Sequence, residues 1–161
     1  MSEKITQDSL KAVLHYDPDT GIFTRLVRVG KHGVGSVAGT IDDDGYVRIT
    51  IAGKKYRAQR LAFLYMTGSF PDGEVDHEDR VRTNNAWVNL REATTQQNAA
   101  NRGTTAKSGF KGVEQTKTGY MARIKYNGVR RYLGTFDTAE GAHAAYVSAA
   151  NDLYGEFARA A

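Results

Sequence analysis

The chain has 161 residues, enough for one medium domain or two small ones, and its 40% hydrophobic and 25% charged content is that of a globular protein. It has no cysteine, which excludes disulfides and thiolate zinc sites, so no structural zinc is expected and oxygen or imidazole must hold any metal. The longest apolar run, residues 61–66, is too short to span a bilayer, and residues 1–4 do not begin a signal peptide. We therefore expect no membrane association and a cytoplasmic location.

Positive charge is concentrated in the second half of the chain. The formal net charge is +4, which favours a polyanionic partner. Between residues 106 and 135 a single acid, Glu114, stands among seven basic residues: Lys107, Lys111, Lys117, Arg123, Lys125, Arg130 and Arg131. Acids cluster instead at residues 42–44 and 72–79.

The first half reads as short strands alternating with helices. A helix is predicted over residues 7–15, followed by the turn "DPDTG" (residues 17–21) and a strand over residues 22–26. Asp44-Gly45 predicts a hairpin turn, and an apolar helix with helical spacing should end at Gly68.

A change of pattern follows residue 100. Thr94 and Gln97 have the spacing of a capping box, so a helix should begin there and end near Arg102. Residues 101–109, "NRGTTAKSG", are small and polar and predict a linker. We therefore predict two domains, residues 1–103 and 104–161.

The second domain is predicted to hold three strands, at residues 112–115, 120–126 and 129–134, and one helix. Asp137, with Glu140 three residues later, is the predicted cap at the start of this helix, and Gly155 is its predicted end. The dipeptide Asn127-Gly128 predicts a two-residue turn between the second and third strands.

That turn fixes the predicted register of the hairpin. The predicted pairs are Tyr126–Val129, Lys125–Arg130, Ile124–Arg131, Arg123–Tyr132 and Ala122–Leu133. One face then carries Arg123, Lys125, Arg130 and Tyr132, and the like charges of Lys125 and Arg130 repel unless an anion lies over them. This face is suited to DNA phosphates and base edges, although a solvated sheet face is the alternative.

Residues 108–158, and above all "YLGTFDTAEGAHAAY", resemble the ethylene-response-factor (APETALA-type) DNA-binding domain. The resemblance implies a three-stranded sheet in the major groove of double-stranded DNA, backed by a helix. Glu114 and Thr116 stand where plant members carry arginines, so the plant target sequence does not transfer. The predicted DNA-binding residues are Lys117, Arg123, Lys125, Arg130, Arg131 and Tyr132.

The stretch "VDHEDRVRTNNAWVNLREATTQQN" (residues 75–98) is poor in apolar residues and holds one histidine directly after an aspartate. Either it is a solvated loop whose aspartate and asparagines cap turns, or these side chains converge on a metal ion. Its order and spacing resemble the HNH (ββα-metal) motif of phage and intron-encoded homing endonucleases, over about residues 58–102. The histidine and two asparagines of that motif fall on His77, Asn89 and Asn98.

The resemblance implies a role for each residue. A neutral imidazole, His77, suits a general base at physiological pH. Asp76 and Asn98 offer a carboxylate and an amide oxygen, a sparse set that suits Mg²⁺, with Mn²⁺ as an acceptable substitute. Asn89 either orients His77 or pins the loop between the strands of the motif. Glu78-Asp79 stand where relatives carry uncharged residues, and they either weaken the approach of DNA or add a metal contact.

The predicted fold class is α+β: an N-terminal mixed domain with a ββα-metal HNH motif, then a small three-stranded antiparallel sheet packed on one helix. The predicted function is that of a divalent-metal-dependent DNA endonuclease of phage or mobile-element type, acting in a bacterial or phage-infected host cell. It should nick one strand per event and choose sequence through the C-terminal sheet. The alternative is a DNA-binding regulatory protein with an inactive HNH-like domain.

Overall fold

The first elements of the chain differ from the predicted helix over residues 7–15. In the computed structural model, which describes residues 5–104 and 106–158, α1 (Gln7–Val13) ends early and β1 (Leu14–Tyr16) follows directly. Leu14 and Tyr16 are buried and His15 is exposed, an alternation that a strand provides and a helix does not. Burial of two apolar side chains thus sets the local structure here.

The remaining elements before residue 93 are short strands and one helix. They are β2 (Phe23–Arg25), β3 (Thr40–Ile41), β4 (Val47–Ile51), β5 (Lys54–Arg57), α2 (Ala58–Thr67), β6 (Glu74–His77) and β7 (Leu90–Ala93). Three sheets result, with strand orders β1-β2, β3-β4-β5 and β6-β7. The helix α2 ends at Gly68, as predicted, and its buried side chains include Leu61 and Leu64.

The connection between β6 and β7 is the segment of greatest interest for function. It runs over residues 78–89 and ends in a 3₁₀ turn, Trp87–Asn89. After β7 comes α3 (Thr95–Asn101), and its predicted capping box is confirmed: the Thr94 hydroxyl accepts from the Gln97 amide, and the Gln97 side chain accepts from the Thr94 amide. The order of elements is thus strand, loop, strand and helix.

The chain divides into two compact units, Met1–Glu92 and Ala93–Ala161. The division lies ahead of the linker predicted at residues 101–109, so α3 belongs to the same unit as the C-terminal sheet. Thr105 of that linker lies outside the described residues, as do residues 1–4 and 159–161. The mixed α+β class is confirmed.

The second unit contains β8 (Val113–Thr116), β9 (Gly119–Tyr126), β10 (Val129–Phe136) and α4 (Ala139–Tyr154), with β9 as the central strand. Asn127 and Gly128 both have positive φ, 49° and 79°, as a two-residue hairpin turn requires. Four of the five predicted pairs between β9 and β10 are present.

The fifth predicted pair, Ala122 with Leu133, is wrong. The register shifts after Tyr132, so that Ala122 pairs with Gly134 and Leu133 is the extra residue of a bulge. Leu133 packs against both apolar clusters of the unit, which explains why the strand departs from simple alternation at this residue.

The helix α4 packs on the sheet through small and aromatic side chains. Ala142 and Ala150 are fully buried, and Tyr146 and Tyr154 are almost entirely buried. Its N-cap is Thr138, whose hydroxyl accepts from the Gly141 amide at 3.1 Å, and not the predicted Asp137. A threonine with extended backbone can accept this bond, which fixes the start of the helix one residue later.

A lysine side chain holds the C-terminal end of α3 within this unit. The ammonium of Lys111 donates to the backbone oxygens of Ala99, Ala100 and Arg102, at 3.0 Å for the first and 2.7 Å for the last. The last carbonyls of a helix receive no hydrogen bond from within it, so a cation placed there satisfies them and complements the helix dipole. Over residues 5–104 and 106–158, none of the helices has both the length and the apolar character needed to cross a membrane.

Candidate active site and nucleic-acid interface

The imidazole of His77 is buried at the end of β6. Its exposed fraction is 4%, and its Nε2 lies 3.1 Å from Oδ1 of the buried Asn85. Burial lowers the pKa of His77, while the Asn85 hydrogen bond and the charges of Asp79 and Asp76 act in the opposite direction and Arg82 adds to the lowering. The net effect favours the neutral imidazole, the form that can accept a proton.

Asp76, the preceding residue on β6, is also buried and forms an ion pair. Both Nε and a terminal nitrogen of Arg91 on β7 donate to the same carboxylate oxygen, Oδ2, at 3.1 and 3.0 Å. Such a two-bond contact fixes the orientation of the carboxylate.

The Asn89 side chain closes the loop between β6 and β7. Its Oδ1 accepts from the Asp79 amide at 2.9 Å, and its Nδ2 donates to Asp79 Oδ1 at 2.9 Å and to the Asn84 carbonyl at 2.8 Å. Two roles were predicted for Asn89, and these contacts correspond to the second, in which its side chain pins the loop. The amide that contacts His77 belongs to Asn85 instead.

The carboxylate of Asp79 also accepts several hydrogen bonds within this loop. It accepts from the Val81 amide at 2.8 Å and from the side chains of Asn84 and Asn89 at 2.6 and 2.9 Å. Burial acts to raise the pKa of Asp79, but the hydrogen bonds from Asn84, Val81 and Asn89 outweigh it and lower the pKa. The acid that was predicted either to oppose DNA or to bind metal therefore holds the loop together.

Sequence reasoning missed Asn85 as well as this use of Asp79. An aspartate followed two residues later by a chain reversal is a common turn signal and could have pointed to Asp79. Nothing in the spacing of "TNN" (residues 83–85) distinguishes Asn85 from Asn84, because only the folded chain brings Asn85 to the imidazole of His77.

Asn98 lies on α3, in the second unit. Its backbone N–H donates to the Thr94 carbonyl at 2.9 Å. Asp76, His77 and Asn89 all lie in the first unit. Among the described residues no group of three or more histidine, cysteine, aspartate or glutamate side chains could hold a metal ion. The metal ligands Asp76 and Asn98 thus stay a prediction.

Two guanidinium groups lie against the ring of Tyr46, which neighbours His77. The ring centroid of Tyr46 lies 6.0 Å from that of His77, and the guanidinium carbons of Arg57 and Arg82 lie 4.2 and 5.1 Å from the Tyr46 centroid. Arg82 is exposed and also donates to the Asp44 carbonyl at 2.6 Å. Two cations thus contact the aromatic ring that lies beside His77.

The second unit places cationic and aromatic side chains on one face of β9 and β10. Lys125 pairs with Arg130 and Arg123 with Tyr132, so these four side chains share a face. Lys125 and Arg130 are exposed, and Tyr132 is 63% exposed. Arg123 also forms an ion pair with Glu114 on β8, at 3.4 Å.

Two predicted DNA-binding residues lie elsewhere. Arg131 pairs with the buried Ile124, so it does not share the face of Lys125 and Arg130, and its guanidinium carbon lies 5.3 Å from the ring centroid of Tyr126. Lys117 is exposed in the turn between β8 and β9.

Part of the chain is similar to a known family of nucleases. Residues 56–100 match the family model described as HNH endonuclease. The match includes Asp76, His77, Asn89 and Asn98 and ends before the stretch that resembles ethylene-response-factor domains, so that resemblance stays a prediction.

A relative and a solved structure are similar to the chain. The relative is "Uncharacterized HNH endonuclease L560" of Acanthamoeba polyphaga mimivirus, which is 36% identical over 108 residues, 66% of this chain and 57% of the relative. The chain thus matches little more than half of that relative's length. The structure, "DNA binding and cleavage by the HNH homing endonuclease I-HmuI", shares 19% identity with a TM-score of 0.43, over 88% of this chain and 85% of the other.

Proposed function

We propose that the protein is a divalent-metal-dependent endonuclease of phage or mobile-element type that hydrolyses phosphodiester bonds of duplex DNA. The observation that carries the proposal is the buried imidazole of His77, held at Nε2 inside a segment that matches the HNH endonuclease family. A buried neutral imidazole next to a carboxylate is an arrangement that catalysis uses and a solvated loop does not need.

His77 is the general base of this proposal. The imidazole takes a proton from water, the resulting hydroxide oxygen bonds to phosphorus, and the bond from phosphorus to the 3′ oxygen breaks. The 3′ oxygen leaves with the bonding electron pair and takes a proton from solvent water, and the imidazolium returns its proton to solvent. The lowered pKa of His77 keeps the ring neutral, and thus able to accept the proton, at physiological pH.

The metal would be held by Asp76 and Asn98. Both offer oxygen, and the absence of cysteine leaves hard oxygen donors as the available chemistry, which suits Mg²⁺ or Mn²⁺. When bound, a divalent cation stabilises the charge that develops on the phosphate and on the leaving 3′ oxygen. The Arg91 ion pair orients Asp76 for this role, and Asn89 acts through the loop that it pins rather than on the substrate.

Binding of DNA would use cations of both units. Arg57 and Arg82 lie beside Tyr46, which is next to His77, and are suited to phosphates that flank the cleaved bond. On the C-terminal sheet, Arg123 is suited to a base edge and Lys125 and Arg130 to phosphate, which would give sequence preference. A chain with one HNH site should cut one strand per event, so a monomer would nick.

The test is incubation of supercoiled plasmid with the protein and Mg²⁺, Mn²⁺ or EDTA. We expect conversion to open circles with either metal and none with EDTA. His77→Ala should slow cleavage ~10²–10⁴-fold, as loss of a general base does, with DNA affinity unchanged.

His32→Ala is the matched control, because His32 is exposed in a loop of the same unit. Cleavage by His77→Ala at the parental rate would remove His77 from the chemistry. Tight DNA binding with no cleavage under any metal would instead favour the alternative, a regulatory protein with an inactive HNH domain.

A further inference from the structure

We infer that Asn85 is a positioning residue for His77, and that the turn at residues 17–21 holds Asn85 in place. The inference rests on the proposed role of His77 as the base. It concerns two features to which the mechanism above gives no part: a fully buried asparagine and the "DPDTG" turn, which lies outside the segment that matches the HNH family.

The contacts of the Asn85 amide decide which ring nitrogen of His77 carries the hydrogen. Nδ2 of Asn85 donates to the Thr83 carbonyl at 3.2 Å, so Oδ1 is the atom that faces His77 Nε2. An amide oxygen only accepts hydrogen bonds, so Nε2 carries the hydrogen. In the neutral ring Nδ1 then holds the lone pair and is the atom that would take the proton from water.

A buried hydroxyl fixes the main chain of Asn85. The Tyr16 hydroxyl donates to the Asn85 carbonyl at 2.7 Å, although the two residues are 69 positions apart. Burial, together with the nearby Asp17 charge, raises the pKa of Tyr16, so the hydroxyl keeps its hydrogen and stays a donor. Asn85 is 1% exposed, so this bond has no competition from solvent.

The "DPDTG" turn packs directly on the same main chain. Gly21 has φ +73°, and a Cβ added there would lie 2.1 Å from the Asn85 carbonyl carbon and 2.2 Å from the Ala86 nitrogen. Only glycine therefore fits without displacing Asn85. Next to it, the Trp87 amide donates to the Pro18 carbonyl at 2.8 Å.

Three independent contacts thus place Asn85, and Asn85 in turn places the ring of His77. Because a base must meet its water at hydrogen-bond distance and with the correct nitrogen, loss of this support should lower kcat rather than raise KM. In a serine protease triad, holding the wrong tautomer is enough to lower the rate steeply.

The experiment uses the whole chain with ¹⁵N-labelled histidine, without metal, at a pH about two units above 6.5 so that the rings are neutral. The ring nitrogen shifts of His77, assigned by comparison with His77→Ala, report which nitrogen carries the hydrogen. Asn85→Leu fills the space without an acceptor, whereas Asn85→Asp keeps an oxygen acceptor. We expect Nε2–H in the parent and in Asn85→Asp, and a mixture of both tautomers in Asn85→Leu.

Cleavage is measured in parallel. Asn85→Leu should lower kcat ~10–10²-fold with KM unchanged, Asn85→Asp should recover part of the loss, and Tyr16→Phe should show a smaller loss in the same direction. Asp19→Ala, an exposed position in the same turn, is the control and should behave as the parent. Melting curves check that each variant is folded.

If His77 keeps pure Nε2–H in a folded Asn85→Leu variant, the inference is overturned, whatever the rate. Should Asn85→Leu unfold, Tyr16→Phe carries the test, and an unchanged tautomer with an unchanged kcat would overturn it. A changed tautomer in a protein that cuts no duplex would uphold the positioning of His77 while overturning the proposed nuclease.

Discussion

The surroundings of His77 and the outer face of β9 and β10 differ in exposure and in how far their side chains are fixed. Asp76, His77 and Asn89 are at most 8% exposed, and each has a defined hydrogen-bond partner. On the sheet, Lys125 and Arg130 are exposed and paired with each other across the strands, a repulsive arrangement. The side chains of the first region are already held by hydrogen bonds, whereas the second region would, as proposed, be completed by an anion.

The difference matches what each region is proposed to do. Chemistry on phosphorus depends on positions held to fractions of an ångström, which buried hydrogen bonds provide. Contact with a phosphate backbone needs positive charge that can adjust to the duplex, which exposed long side chains provide at little cost to the folded state. Changes to the first region should therefore alter stability and rate, and changes to the second should alter affinity and its dependence on salt.

The largest effect is expected from breaking the Asp76–Arg91 ion pair. Asp76→Ala leaves a partly buried guanidinium without its carboxylate, so the free energy of unfolding should fall by about 3–5 kcal/mol and cleavage should be lost. The double variant Asp76→Ala/Arg91→Leu should recover most of the stability and none of the activity. Urea denaturation and plasmid cleavage measure the two quantities. Recovered cleavage in the double variant would exclude Asp76 as a metal ligand.

Arg123→Ala should cost roughly 1–3 kcal/mol of binding free energy on the preferred site and relax preference at about one base pair. The reason is its central place on the exposed face, next to Tyr132. The matched control is Arg131→Ala, whose side chain shares the face of Ile124. Selection from a randomised duplex pool gives both the loss of binding free energy and the change in base preference. Equal losses for the two variants on all sequences would mean that this face does not read bases.

The second unit should fold alone, and better with α3 than without it. A fragment of residues 93–161 should be more stable than one of residues 107–161 by about 1–2 kcal/mol, since the longer fragment keeps the bonds from Lys111 and the buried Ala100. Circular dichroism during thermal unfolding compares them. If the shorter fragment is equally stable, the predicted boundary at residues 101–109 describes folding better than the division at residue 92.

Lys125→Ala should have the smallest effect, and an effect of a different kind. It should weaken binding to all duplexes alike and reduce the magnitude of the log–log salt slope by about one, because one phosphate contact is lost. Binding at several salt concentrations to two unrelated duplexes measures this. A loss confined to one sequence would assign Lys125 to a base instead.

Features encoded over a few residues could be predicted from the sequence. The Asn127-Gly128 turn determined four strand pairs, and Thr94 with Gln97 determined the start of a helix, because both act within one turn of chain. The bulge at Leu133 and the early end of α1 could not be predicted, since both follow from burial against residues distant in sequence.

The same distinction applies to the candidate site. A family resemblance marked His77 and Asn89, but the orienting amide is that of Asn85, and it is set by Tyr16 from 69 positions away. The sequence around Asn85 offers a second asparagine, Asn84, with the same chemistry. Only the fold distinguishes the two, because Asn84 faces Asp79 and Asn85 faces His77.

The bonds from Lys111 to the end of α3 bear on where the second unit could be exchanged between related chains. Lys111 also accepts, through its carbonyl, a bond from Nδ1 of His143 on α4 at 3.3 Å, so one residue joins α3 to the loop before β8 and to α4. If the second unit binds DNA as proposed, a transplanted unit cut at residue 104 would leave this lysine without the helix that it caps. A unit cut at residue 93 would keep it, and would carry Asn98 along. Exchange of target preference between related nucleases at that junction would therefore exchange one residue of the HNH motif at the same time.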